Sequence, residues 1–262
     1  MSGLLDGRVV VVAGAGAGLG RQVAWAAAQA GAAVAVSGRS SEANAQTVAA
    51  IDGAGGRAMA VTADVTSADD GRRLAAATVD AFGRLDGLVC CAFHPGGMDV
   101  AAVDADLATW RACFEVNLFG ALQLVQAVAP ALRRSDGASV VLIGSQTGRR
   151  VRPGRGDYAV SKAALVTLGQ VLATELGPDG VRVNTLVPGR MRGPALLAHY
   201  QQVADATGTT LADQEQAITA TLALPRMATD EEVARSVLYL LSPLAAGVTG
   251  QSLDVNAGET FH

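Results

Sequence analysis

Lysine is almost missing from this chain. Among 262 residues there is one, Lys162, against nineteen arginines. A composition that has given up lysine elsewhere and kept it once marks a position that arginine does not fill. Charge of either sign is sparse. Only 17% of the residues are charged and half are hydrophobic, which excludes disorder and suits a compact globular chain. The formal net charge of −4 argues against a protein dedicated to nucleic acid. Cysteine is rare too. Cys90, Cys91 and Cys113 are an odd count without metal-ligand spacing, so they read as reduced, buried residues of a cytoplasmic protein with no metal site. The opening "MSGLLDGRVVVVAG" lacks a signal-peptide core and cleavage site. No run is both long and apolar. The best stretch, 116–132, contains Asn117, Gln123, Gln126 and Pro130. It reads as too short and too polar to cross a bilayer, hence as a buried helix.

What is present is a regular alternation. Short β-branched runs recur at 8–14, 32–38, 58–64, 86–92, 138–145, 181–189 and 251–258. Ala- and Leu-rich stretches of helical length, such as 19–30, 67–82, 105–132, 157–177 and 230–241, separate them. Nearly continuous apolar strands between helices imply a parallel sheet buried on both faces. The reading is one α/β domain over 1–262, a doubly wound seven-stranded parallel sheet of Rossmann type with helices on both faces. Residues 190–228 break the rhythm and fall after a strand's carboxyl end, where such folds bind ligands. They are expected to form a substrate-covering lid.

Between the first strand and first helix lie Gly14, Gly18 and Gly20, with Leu19 between the last two. The spacing is Gly-x3-Gly-x-Gly, which Gly16 makes overlap with Gly-x-Gly-x2-Gly. Glycine permits close backbone approach to a pyrophosphate, and a helix N-terminus supplies free N–H groups and partial positive charge. The second strand ends in "VSGRSSE", with Gly38 where an NAD enzyme usually carries a carboxylate and Arg39 next. A guanidinium there grips a 2′-phosphate that a carboxylate would repel, so NADP is expected.

Tyr158 and Lys162 stand at i and i+4 on one helix face. An ammonium beside a phenol favours the phenolate and is expected to lower its pKa into the range useful for acid–base work. Ser145, thirteen residues earlier at a strand end, presents a hydroxyl for a carbonyl oxygen. Between them Arg149, Arg150, Arg152 and Arg155 form a basic run, read as either a solvated loop or a bias toward anionic substrates, with a polyanion-binding protein as the more distant alternative. His94, His199 and Tyr200 are further candidates for substrate contact. The C-terminal "ETFH" reads as either a frayed tail or a segment reaching a neighbouring subunit.

These motifs together resemble the short-chain dehydrogenase/reductase family, and the likeness runs through nearly the whole chain. "AGAGAGLG" is similar to the family's glycine motif, and "ADV" to the segment whose aspartate, here Asp64, contacts adenine with Val65 behind it. "FEVNLFG" carries Asn117 at the position of the catalytic asparagine, which in the family holds a water in a proton relay to the lysine. Ser145, Tyr158 and Lys162 match in spacing, and Pro188 and Gly189 match the pair that flanks the nicotinamide. The resemblance implies hydride transfer between NADP(H) and a small carbonyl or secondary alcohol, with Tyr158 passing the proton, in a homotetramer or homodimer. An NAD-dependent alcohol dehydrogenase and a non-catalytic dinucleotide-binding protein are the alternatives. Three departures stand out: Ala13 replaces a threonine, "CCAF" (90–93) replaces Asn-Asn-Ala-Gly, and Gly193 replaces a threonine after Pro188-Gly189, for which Arg192 is a candidate substitute.

Overall fold

A computed structural model describes residues 3–261; of the C-terminal "ETFH", His262 lies outside the described residues. The apolar runs form strands because each is covered from both sides. In β1 (Val9–Ala13) all five residues are buried. Val10 and Val12 face one helical layer while Val11 and Ala13 face the other. β2 (Ala33–Gly38), β3 (Arg57–Thr62), β4 (Gly87–Cys90), β5 (Ser139–Ile143), β6 (Arg182–Pro188) and, near the C-terminus, a further strand over Ser252–Val255 complete the main sheet. Every pairing in it is parallel.

Several helices are opened by capping side chains. α1 (Leu19–Gln29) follows the glycine loop. α2 (Ser41–Gly53) is capped by Ser40 and α3 (Ala68–Phe82) by Ser67, with Asp69 and Asp70 in the first turn of α3. α4 (Leu107–Phe114), a π-helical turn over Glu115–Phe119 and α5 (Gly120–Leu132) form one continuous run. α6 (Gly156–Leu176) carries the tyrosine and lysine.

The 190–228 segment comprises β7 (Met191–Arg192), α7 (Pro194–Thr207) and α8 (Leu211–Thr219), and ends at β8 (Ala228–Thr229). β7 and β8 pair as a separate two-stranded ladder. α9 (Asp230–Leu241), opened by a Thr229–Glu232 capping box, leads to β9, the Ser252–Val255 strand.

The sheet order is β3-β2-β1-β4-β5-β6-β9. From β1 the chain winds outward one way to β3, then returns to β4 and winds the other way. The reversal leaves a crevice at the carboxyl ends of β1 and β4. α1 and α9 pack on one face, α3, α5 and α6 on the other.

One expectation is corrected here. The Leu107–Leu132 run is 26 residues and, by length and composition alone, long and apolar enough to cross a bilayer. Its length therefore excludes nothing. What identifies it as core is packing: Leu124, Val125, Val128 and Leu132 are buried against the sheet.

Candidate active site

The crevice opens into a cavity of about 970 Å3. At one end stands the glycine loop. Gly14 has φ +89°, and a Cβ on it would lie 2.3 Å from the Ala92 nitrogen. A Cβ on Gly20 would lie 2.2 Å from the Gly14 oxygen. Both glycines close the loop against the protein. Gly18 differs, since a Cβ there meets nothing within 4 Å and would project into the cavity that it lines. Gly18 also caps α1 without a side-chain acceptor, so beyond Arg21 N, which donates to the Gly18 carbonyl at 3.0 Å, the first N–H groups of the helix are not taken up by a capping side chain. At the departures Ala13 and "CCAF" the joint between the two strands is made by backbone. Cys91 N (2.7 Å) and Ala92 N (3.0 Å) both donate to the Ala13 carbonyl.

Along the same wall lie Leu19, Gly38, Arg39, Asp64 and Val65. Arg39 is exposed at the rim. Sequence reasoning missed Asn44, which is buried and donates from Nδ2 to the Gly38 carbonyl at 2.9 Å. A Cβ at Gly38 would approach its Oδ1 to 3.1 Å, so the chain resists a larger residue where an acid would sit. Asp64 commits Oδ1 to Thr66 N (2.9 Å) and Oγ1 (2.8 Å), which fixes the turn behind β3. Val65 packs over Gly120, where a Cβ would come within 2.8 Å of it.

At the other end Ser145, Tyr158, Lys162, Pro188 and Gly189 line the cavity. Lys162 Nζ donates to the Ile143 carbonyl at 2.8 Å and lies 5.8 Å from the Tyr158 ring centroid. Burial pushes the lysine down to about 8, despite the opposing influence of the cysteines. The tyrosine does not follow the expected direction. Burial raises its pKa above the ordinary phenol value, against a hydrogen bond with Ser145 and the charge of Arg155, both of which lower it. Desolvation of the phenol outweighs the two influences that lower its pKa.

Asn117 sits in the π-helical turn. Its Oδ1 accepts from His94 N (2.7 Å), and its Nδ2 donates to the His94 carbonyl (3.0 Å) and to Ser161 Oγ (2.9 Å). The side chain thus clamps the strand-following loop to two helices, and the π-turn, which the sequence did not betray, is what aims it. Burial raises all three thiols, Cys91 to about 12, so none is a ready nucleophile at neutral pH.

Of the substrate candidates, only His94 reaches the cavity wall. His199 is exposed on α7 and tilted against Tyr200, with 5.6 Å between ring centroids. Arg150, Arg152 and Arg190 converge instead on Glu259, whose side chain is fully buried. Gln146 Nε2 also donates to that carboxylate at 2.6 Å. Tyr200 lies beside this group, where its pKa reflects Arg190, Glu259 and Arg152 after burial. Arg149 pairs with Asp254. Arg192, the suggested stand-in for the missing threonine, donates to Glu215 Oε1 at 2.7 Å, on α8, and Gly193 abuts Asp230. The basic run is thus mostly internal cross-bracing. Sequence reading missed Glu259 because an acid near a C-terminus has no local pattern to betray it. Among the described residues no cluster of metal-ligating side chains occurs.

A doubly wound sheet with a glycine loop at its switch point and a serine, tyrosine and lysine at the cavity's far end defines a class, the dinucleotide-dependent oxidoreductases. A family model described as "Enoyl-(Acyl carrier protein) reductase" matches residues 14–260. Among curated proteins the chain is 32% identical to the 7alpha-hydroxysteroid dehydrogenase of Escherichia coli K12, covering 97% of this chain and 94% of that one. It is 34% identical to the L-rhamnose 1-dehydrogenase (NAD(P)(+)) of a Sphingomonas species, with 97% of each covered. A solved short-chain type dehydrogenase/reductase of Mycobacterium ulcerans superposes with a TM-score of 0.88 at 30% identity, over 99% of this chain and 91% of that one. The chain belongs to the short-chain dehydrogenase/reductase family. It is an NAD(P)-dependent short-chain dehydrogenase/reductase, and its named relatives are dehydrogenases acting on CH–OH donors.

Proposed function

We propose that the enzyme transfers hydride between NADP(H) and a carbonyl or secondary alcohol, with Tyr158 as general acid and base. The observation that carries this reading is the joint placement of Ser145, Tyr158 and Lys162 at one end of a cavity whose other end offers Arg39, with Gly38 rather than a carboxylate at the end of β2. The cavity fits a dinucleotide. Its volume reaches the upper part of the roughly 300–1,000 Å3 range of ligand sites, and Gly18 leaves open the space that a side chain would fill. Gly14, Gly18, Leu19 and Gly20 would hold the pyrophosphate, Arg39 the 2′-phosphate, Asp64 and Val65 the adenine, and Pro188 and Gly189 the nicotinamide.

A nicotinamide bound there supplies or accepts the hydride. The rest falls to the chain. In reduction the Tyr158 hydroxyl gives its proton to the substrate oxygen and regains one from solvent; in oxidation the phenolate takes it. Ser145 donates a hydrogen bond to the same oxygen, and Lys162 holds the ribose and supplies positive charge as the phenolate develops. Asn117 keeps the His94 loop in register, and a water relay to Lys162 passes beside it. Residues 190–228 act as the lid, and the enzyme works in the cytoplasm as a homotetramer or homodimer. The relatives' substrates, a hydroxysteroid and a sugar, support an alcohol substrate without fixing its size.

A panel of ketones and alcohols assayed with both cofactors tests the reading. Tyr158→Phe should lose at least a hundredfold in kcat while still binding cofactor, and unchanged turnover would remove Tyr158 from the mechanism. Arg39→Ala should lose most of the preference for NADPH. A preference for NADH in the parent enzyme would favour the NAD-dependent alternative.

A further inference from the structure

We propose that Arg155 is a positioning residue for Tyr158, a permanent cation laid on the phenol ring that favours its ionised form. The proposal rests on the reading of Tyr158 as the proton carrier. The guanidinium carbon of Arg155 lies 4.9 Å from the ring centroid, nearer than the Lys162 ammonium at 5.8 Å. A cation over an aromatic face is attracted to it, and the attraction grows once the ring carries negative charge.

Arg155 also differs from its neighbours in what it does not bind. Arg149 pairs with Asp254, and Arg150 and Arg152 with Glu259. Among the described residues Arg155 has no carboxylate partner. A guanidinium left without a counter-ion, beside a half-buried phenol, places its charge on that phenol. The backbone sets this up. Arg155 is the residue before α6, and a Cβ on the following Gly156 would lie 3.0 Å from the Trp110 ring. The chain thus passes the α4 indole closely, and Arg155 takes off three residues before Tyr158 and folds along the helix's first turn.

Apart from Lys162, the other groups facing the phenol supply no positive charge. Ser145, from the end of β5, is neutral, and Cys113, from α4, is a thiol whose pKa burial raises. The Asp157 carboxylate accepts from the backbone N–H groups of Gly97 (2.7 Å) and Tyr158 (2.7 Å). Lys162, the other cation, donates to the Ile143 carbonyl and lies farther from the ring, 5.8 Å from its centroid. A guanidinium keeps its charge throughout. Consistent with this placement, the charge of Arg155 is among the influences that lower the Tyr158 pKa.

The direct test is ultraviolet difference titration of the Tyr158 phenol, isolated from Tyr200 and Tyr239 by subtracting the Tyr158→Phe spectrum. Arg155→Met and Arg155→Gln should each move its ionisation to higher pH, and Arg155→Lys should restore most of it. In turnover, the ascending limb of the pH profile for alcohol oxidation should move by the same interval in the neutral variants. The loss in kcat/KM on that limb should be about threefold, with the KM for cofactor unchanged. An unmoved phenol titration in either neutral variant that keeps the parent's melting temperature overturns the proposal, as does failure of lysine to restore it. The titration needs no substrate. If Tyr158→Phe kept its turnover, the functional reading would fall while the titration still judged the cation on the ring.

Discussion

The two ends of the cavity are made of different materials. At the glycine loop the wall is backbone and small side chains: Gly14, Gly18, Gly20 and Gly38, joined through N–H and carbonyl groups of neighbouring strands. Beyond Ser145 the wall is backed by long charged side chains whose partners are remote in sequence. Arg149 reaches Asp254 across 105 positions, and Arg152 reaches Glu259 across 107. The first end depends on how closely the chain can approach itself, and its chemistry is indifferent to most substitutions that preserve shape. The second depends on pairs, so loss of the arginines strands the buried Glu259 carboxylate. A pyrophosphate site of general use can be built the first way. A site that selects one substrate needs the variety that only side chains provide.

Substitutions that separate shape from charge would break this contrast, and the largest effect is expected at the glycine loop. Gly20→Val places atoms against the Gly14 backbone and should cost at least about 3 kcal/mol, seen as a fall in melting temperature of roughly 10 °C. Gly18→Ala should leave the melting temperature alone and weaken cofactor binding about tenfold, measured by fluorescence titration. Equal effects on stability would dissolve the distinction between the glycine that packs and the one that makes room.

Lys162→Met comes next. Its folded pKa of about 8 lies below the ordinary 10.5, so the unfolded chain binds its proton more tightly, and parent stability rises with pH through that interval. Below about pH 8 the full penalty of the buried charge is present, on the order of 3 kcal/mol. At pH 7 the methionine variant should therefore melt higher than the parent, with the gap closing toward pH 10, while turnover is lost. A variant less stable at pH 7 would mean that the bond to Ile143 outweighs desolvation.

Glu259→Gln should have the smallest effect. It leaves Arg150, Arg152 and Arg190 facing one another without a carboxylate and should cost about 1–2 kcal/mol, moderated by their partial exposure. The melting temperature should fall by a few degrees and the substrate KM should rise, with cofactor affinity unmoved. A change in cofactor affinity would show that the two ends are coupled.

Much of this was legible in the sequence. Strand positions followed from β-branched runs that needed cover on both faces, and the order of strand, glycine loop and helix located the switch point. The Tyr158–Lys162 spacing put both side chains on one helical face, and Lys162 lines the cavity as its rarity suggested. The π-helical turn that aims Asn117 left no trace, because helical periodicity looks the same on either side of it. Asn44, Arg155 and Glu259 were equally silent, since nothing local tells what a remote residue will meet.

Sequence by itself determined the topology and the convergence of the glycine loop with Ser145, Tyr158 and Lys162, because periodicity, glycine geometry and helix spacing are short-range and leave few ways to bury the apolar faces. Tertiary structure alone decided the charges within it. Whether an arginine pairs, stacks or stays solvated, and whether a phenol is pushed up by burial or down by a cation, depends on distances across the fold and on how much water remains. In this protein that decision turned three of four arginines into braces and left the fourth lying on Tyr158.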